Sequence, residues 1–165
     1  MNLIDRSILS IERIVDFANT ADLEDLRPVL EPQVTCNMAI AEEGLKNAYG
    51  ANVGKILLEG HANSLERRAR AKAAAASDAR MNGCEMPVVI VSGSGNQGIT
   101  ASVPVIEYAR SLGFHDDKLY RAVAVADLCT IHQKDYIGRL SAFCGTVSAG
   151  AGAGAGICYL LGGTY

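Results

Sequence analysis

Residues 87–113 read PVVIVSGSGNQGITASVPVIEYARSLG, and the fold turns on how that stretch is taken. A short apolar run, 87–91, leads into Gly93, Gly95 and Gly98 in G-x-G-x-x-G spacing, and a helix follows that ends at Gly113. Asp116 and Asp117 then stand roughly where a dinucleotide-binding fold places the acid that holds a ribose. Taken alone, this is the pattern of an NAD or FAD site. Two features oppose it. Pro104 lies where the phosphate-binding helix should already be running. Residues 119–133, LYRAVAVADLCTIHQ, carry charge and helical spacing where the second buried strand of such a unit belongs. A dinucleotide-binding enzyme is therefore the lesser alternative. As a connection into a helix, the loop still offers chemistry. Its glycines admit close backbone approach, and the amides at a helix head favour an anion. Gly93, Ser94, Gly95, Asn96, Gln97, Gly98 and Thr100 are the candidate substrate-binding residues, suited to a carboxylate or an amino acid as much as to a phosphate. The plain alternative is a tight turn between packed helices that binds nothing.

The chain on either side reads as helix. Ile4, Ile8, Ile11, Ile14, Val15 and Ala18 recur at helical spacing with charges between them, predicting a helix over 4–18. Thr20 and Asp22 can cap a second one at 23–30, with Pro28 inside it, and 33–48 reads as a third ending near Gly50. A short apolar piece follows at 53–58. Residues 63–81, NSLERRARAKAAAASDARM, form the clearest helix: Asn63 or Ser64 caps it, alanine dominates it, and Gly83 can supply the left-handed residue that ends it. Its Arg67, Arg68, Arg70 and Lys72 read as a solvated face, with a phosphate or partner site as the sharper alternative. Asp116 or Asp117 starts a helix through Gln133, and 135–144 is expected to continue helically.

From Leu140 to Tyr165 no residue is charged, which is long enough to cross a bilayer. The tract is mostly Gly and Ala, which contribute little transfer energy, so a fully buried helix over 145–161 at the centre of the fold is expected instead. The whole is 165 residues with 49% hydrophobic and 5% aromatic content, enough for one core that must pack its backbones closely. The fold class expected is mainly α: a single compact helical domain over 1–165, with a buried Ala/Gly-rich central helix and a glycine-rich loop. A net charge of −3 excludes a strongly basic nucleic-acid binder. The N-terminus is charged throughout and has no signal-peptide run, so a cytoplasmic protein with no membrane partner is expected. Cys36, Cys84, Cys129, Cys144 and Cys158 are odd in number, irregularly spaced and without a CxxC pair, which reads as packed thiols rather than a disulfide framework.

Longer motifs carry a resemblance. SGSGNQGITASVPVIEYARSLG, KDYIGRLSAFCG and GICYLLGG, with CNMAIAEEGL, YGANVGK and AKAAAASDARMNGCEMPV upstream, strongly resemble the L-cysteine desulfidase family, related to the α chain of iron–sulfur L-serine dehydratase. The resemblance covers the chain from about residue 4. It implies a mainly helical catalytic domain of a [4Fe–4S]-dependent lyase. That reaction eliminates a β-substituent from a small amino acid, giving sulfide, ammonia and pyruvate from cysteine, or water in place of sulfide from serine. Such an elimination needs a base for the α-proton and a Lewis acid for the leaving group, a part that an open cluster iron can take.

By the same resemblance, Cys144 matches the cysteine of the GRLSxxCG motif that ligates the cluster, and is the one metal ligand assigned. Lys134, Tyr136, Arg139 and Ser141 share that segment, and Lys134 and Arg139 can offset a cluster's negative charge or form ordinary ion pairs. The catalytic base is not assigned. Family members are much longer. Their cysteine motif near the start, and the segment after LLGG with two more cluster cysteines, have no counterpart here, and a cluster needs three or four protein ligands. The expectation is a portion of the lyase that binds no cluster and is inactive alone. It would depend on the missing segments or a second polypeptide, take a small amino acid as substrate, and be open to homo-oligomerisation. A non-enzymatic helical module for small-molecule binding or assembly is the alternative.

Overall fold

The computed structural model describes residues 5–60, 64–138 and 141–165. Ile4, Asn63, Arg139 and Leu140, named above, lie outside them. Seven helices are described: α1 (Ile11–Thr20), α2 (Leu23–Lys46), α3 (Val53–Leu58), α4 (Leu65–Met81), α5 (Gly95–Ser111), α6 (Asp116–Ile137) and α7 (Gly145–Leu160). The domain is mainly α, as the periodicity predicts. Among the described residues the only bridge-type pairing joins Val91 to Ser94, so the parallel sheet of a dinucleotide fold has no counterpart there.

Several boundaries differ from the sequence reading, each for a local reason. α1 begins at Ile11 rather than near residue 4, because Ser10 caps it by accepting the Arg13 N–H at 3.2 Å. The two helices expected over 23–30 and 33–48 are one, α2, which runs through Pro28 and Pro32. Both prolines are exposed and one turn apart, so the carbonyls they leave unbonded face water. The opposite face, with Leu26, Leu30, Val34 and Met38, stays buried and continuous. Asp22 caps this helix and Ser64 caps α4, which ends with Gly83 at φ +86°. The helix expected to persist over 135–144 stops at Ile137, where Gly138 takes φ +82°. The basic face expected on α4 is partly consumed inside the protein. Arg68 Nε and Lys72 Nζ lie 2.8 and 2.6 Å from the buried carboxylate of Glu107 and tie α4 to α5. Burial alone would raise the Glu107 pKa, but hydrogen bonds from Lys72 and Arg68 hold it below the ordinary range.

The most enclosed helix is α5, whose Ile99, Val103, Val105 and Ile106 are wholly buried. α6 and α7 pack on it. The Ala/Gly helix is buried on one face only: Ser148, Ala149, Gly152, Ala153, Gly156 and Leu160 face inward, while Val147, Gly150, Ala151 and Gly154 are exposed. The expected full burial is thus corrected to half. The buried face is where glycine is required. A Cβ at Gly152 would overlap the Thr130 hydroxyl and the Ala126 carbonyl, and one at Gly156 would lie 2.7 Å from the Ala122 carbonyl. No helix among the described residues is long and apolar enough to cross a membrane.

Ala153 is 4% exposed on this seam, so Ala153→Leu is expected to overpack it at a cost of about 1–3 kcal/mol, read as a fall in the midpoint of urea unfolding. Exposed Ala151→Leu serves as the control and should leave that midpoint unchanged.

Candidate functional site

The glycine loop is built on a side chain that stands in for a missing strand. Asn37, wholly buried on α2, accepts the Val89 N–H at 2.8 Å. Its amide nitrogen donates to the Val89 carbonyl at 3.2 Å and to Ser102 Oγ at 3.1 Å. One side chain therefore satisfies both backbone groups of Val89, as a neighbouring strand would. The chain then reverses. Val91 and Ser94 exchange backbone hydrogen bonds of 3.2 and 3.1 Å across Ser92 and Gly93, which both take positive φ, +50° and +82°. Gly98 packs so close to the Val89 carbonyl that a Cβ there would overlap it.

This reversal leaves the head of α5 uncapped. Ser94 is the N-cap residue, yet its hydroxyl makes no capping bond. Its own N–H is spent on Val91, so Gln97, three residues on, has no N–H to reach back to as it would in a capping box. Among the described residues the amides of Gly95, Asn96 and Gln97 have no acceptor. Gln97 Oε1 is buried and unpartnered, and the side chain itself is only 8% exposed. Asn96 is not free: its Oδ1 accepts from Arg80 Nη1 at 3.1 Å.

The head of α7 lies beside it. A Cβ at Gly145 would strike the Gln97 amide, and one at Gly156 would lie 3.0 Å from Val105, so α5 and α7 run parallel with their N-termini at the same end. Cys144 occupies the N-cap of α7. Its exposed sulfur sits 2.6 Å from the Thr146 hydroxyl. The Thr146 hydroxyl, with the Lys134 charge assisting, holds the thiol below its ordinary pKa. Ser148, one turn along, has a buried hydroxyl with no partner. The fold thus brings Cys144 and the 93–98 loop together, the two features assigned separately from sequence. Two uncapped helix heads side by side concentrate positive potential, an environment for a carboxylate or a thiolate.

Of the residues assigned to substrate, Thr100 lies a turn and a half into α5, and Gly95 and Gly98 serve packing as well as approach. Reading the sequence missed Asn37, Arg80 and Ser148. A signal for Asn37 existed, since it interrupts the apolar face of α2 one turn after Gln33, a second buried polar residue. Gln33 donates to half-buried Asp127 at 3.0 Å, and burial pushes the Asp127 carboxyl up to about 7 despite that bond. Two cavities lie elsewhere. One, near 650 Å³, is lined by Asp117, Arg121 and Tyr159; the other, near 420 Å³, is apolar and lies between α1 and Leu128.

As a metal site the heads are incomplete. Among the described residues no three His, Cys, Asp or Glu side chains come together, and Cys129, buried, has its thiol pushed up to about 11. One activated thiol is a donor of the right kind, but these residues do not by themselves fit a [4Fe–4S] cluster, which takes three or four protein ligands.

The fold and site define a helical domain with a polar, electropositive end that holds a glycine loop and a lone activated cysteine. The sequence profile of the serine dehydratase alpha chain matches residues 4–165, and the chain belongs to that family. A UPF0597 protein of Lachnoclostridium phytofermentans is 57% identical over 160 residues, covering 97% of this chain and 38% of that protein. One of Desulfitobacterium hafniense is 56% identical over 164 residues, covering 99% and 38%. A third, of Fusobacterium nucleatum, is 43% identical over 169 residues, covering 99% and 40%. The chain therefore spans about two fifths of the length of these curated relatives. No solved structure matches it.

Two measurements check this description. Iodoacetamide at neutral pH should modify Cys144 well before Cys129, read by peptide mass spectrometry, and Thr146→Val should slow Cys144 by removing the hydroxyl that stabilises its thiolate. The raised Asp127 pKa makes the folded state bind a proton that the unfolded state has already released between pH 4 and 7. Its contribution to stability is therefore present below about pH 4 and lost as pH rises through 7. Asp127→Asn should be more stable than the parent at pH 8 and lose that advantage toward pH 4, measured as the melting temperature across the range.

Proposed function

We propose that this chain is part of an iron–sulfur lyase that removes the β-substituent of a small α-amino acid, L-cysteine or L-serine. The observation that carries the reading is the parallel pair of uncapped helix heads, with Gln97 between them and Cys144 on one. In this reading the amides of Gly95, Asn96 and Gln97 bind the substrate carboxylate. Cys144 supplies one ligand of a [4Fe–4S] cluster in the complete enzyme, and the other ligands come from outside these residues. Thr146, with the Lys134 charge assisting, lowers the Cys144 pKa and so favours the thiolate that a metal takes. The covalent steps belong to the complete enzyme. Membership of the serine dehydratase alpha chain family supports the class of reaction, and the motifs quoted above support the choice of substrate.

A second reading has one observation in its favour. With no three metal-binding side chains gathered among the described residues, the same head could serve a non-enzymatic module that binds a small carboxylate.

Anaerobic reconstitution with iron and sulfide separates the two. The chain alone should stay colourless and release neither sulfide from L-cysteine nor pyruvate from L-serine. Supplied with the segments that its longer relatives possess, it should turn brown and gain one of these activities, and Cys144→Ser should abolish both colour and activity. A brown, active complex indifferent to Cys144→Ser would refute the ligand assignment. Segments that bind the chain without colour or turnover would favour the module.

A further inference from the structure

The outer face of α7 carries no charge. Val147, Gly150, Ala151, Gly154, Cys158 and, just past its end, Leu161 are exposed at helical spacing along it. Every other described helix of ten residues or more exposes a charged side chain: Glu12 on α1, Glu24 on α2, Glu66 on α4, Arg110 on α5 and Asp117 on α6. A helix face that meets water normally carries such groups, whereas an uncharged one suits an interior or the core of an interface. The glycines repeat a pattern that the fold already uses. Gly152 and Gly156, four residues apart, let α6 approach at backbone range. Gly150 and Gly154 have the same spacing on the outer face, and nothing lies within 4 Å of a Cβ at either. Nor does the apolar surface stop at α7. Ala155, at the edge of this face, packs on the cluster of Ile14, Val125 and Cys129. The apolar groove near 420 Å³ borders that cluster between α1 and Leu128, and Ile8 and Phe17 are exposed along it. One apolar surface thus runs from α7 to α1, of the kind that another folded segment covers.

The length of the relatives says which segment. Proteins 57% and 56% identical to this chain match nearly all of it, yet it spans only 38% of each. Their other three fifths, about, belong to the same polypeptide as this surface. Linkage gives that part an effective concentration that a separate molecule does not reach. We propose that the outer face of α7, with the α1 groove beside it, is the docking surface for this unmatched part of the longer proteins, received as a helix whose facing residues are small and apolar. Gly150 and Gly154 admit its backbone as Gly152 and Gly156 admit α6. The inference goes beyond the lyase reading and holds whether or not the assembled protein carries out the elimination.

The test compares maleimide labelling of one position in two settings, read by peptide mass spectrometry. Ala151→Cys in the 165-residue chain should label rapidly, because that residue is exposed. A cysteine at the aligned position of the intact Desulfitobacterium hafniense protein should label slower by about tenfold or more, and rapidly once that protein is unfolded. A second pair, Leu161→Cys and its aligned position, keeps the comparison decisive if the first variant does not fold. Equal, rapid labelling in both settings would overturn the proposal. Protection that is lost when the intact protein is diluted to monomer, or that is already present in a dimeric 165-residue chain, would assign the face to a second copy and overturn it as well. Protection in the intact monomer without turnover of L-cysteine or L-serine would support the docking surface and count against the lyase reading alone.

Discussion

The rest of the structure depends on how closely α7 approaches α6. Thr130 and the Ala126 carbonyl occupy the space that a side chain at position 152 would need, and the Ala122 carbonyl crowds position 156 in the same way. Contact at this range is made by backbone, and it is open only to a helix with glycine along one face. The other face of α7 carries Gly150 and Gly154 with nothing within 4 Å of a Cβ at either, so the tight packing is one-sided. Because α6 is antiparallel to both α5 and α7, the same contact forces the heads of α5 and α7 to the same end.

That placement decides the electrostatics. A helix head exposes amides without acceptors, and a protein normally caps them. Here Ser94 and Cys144 occupy the two cap positions without capping through their side chains, and the local reasons differ. At α5 the turn through Ser92 and Gly93 consumes the Ser94 N–H, which frees Gln97 from the capping box its position invites. At α7 the cap residue is a cysteine, and its sulfur is paired with the Thr146 hydroxyl instead. Two buried polar groups near the site are satisfied within the protein: Asn37 by Val89 and Ser102, and Glu107 by Arg68 and Lys72. Among the described residues the Ser92 hydroxyl, the Gln97 oxygen and the Ser148 hydroxyl are buried there without a partner.

Much of this was legible in order of residues. Helical spacing identified the α4 and α6 segments, Ser64 and Gly83 marked the ends of α4, and charge at 119–133 argued against a second strand. Misreadings were local. The 23–30 and 33–48 segments read as two helices although they are one, because the chain order does not show which face of a helix meets water, and exposure makes the bonds missing at Pro28 and Pro32 harmless. The Ala/Gly tract looked buried all round because small apolar residues read alike whether or not anything lies against them. Arg68 and Lys72 looked solvated because their partner, Glu107, is on another helix.

The sequence by itself determined the helical class and the position of the glycine loop, because helical periodicity and glycine spacing are properties of neighbours along the chain. Only the tertiary structure decided that the loop and Cys144 lie side by side and that Asn37 rather than a strand holds Val89. It also placed Arg80, sixteen residues from Asn96, at the loop's mouth without an acid. Each of these is a meeting of residues far apart in the chain, set by which helix faces can approach, and spacing within a sequence carries no record of that approach.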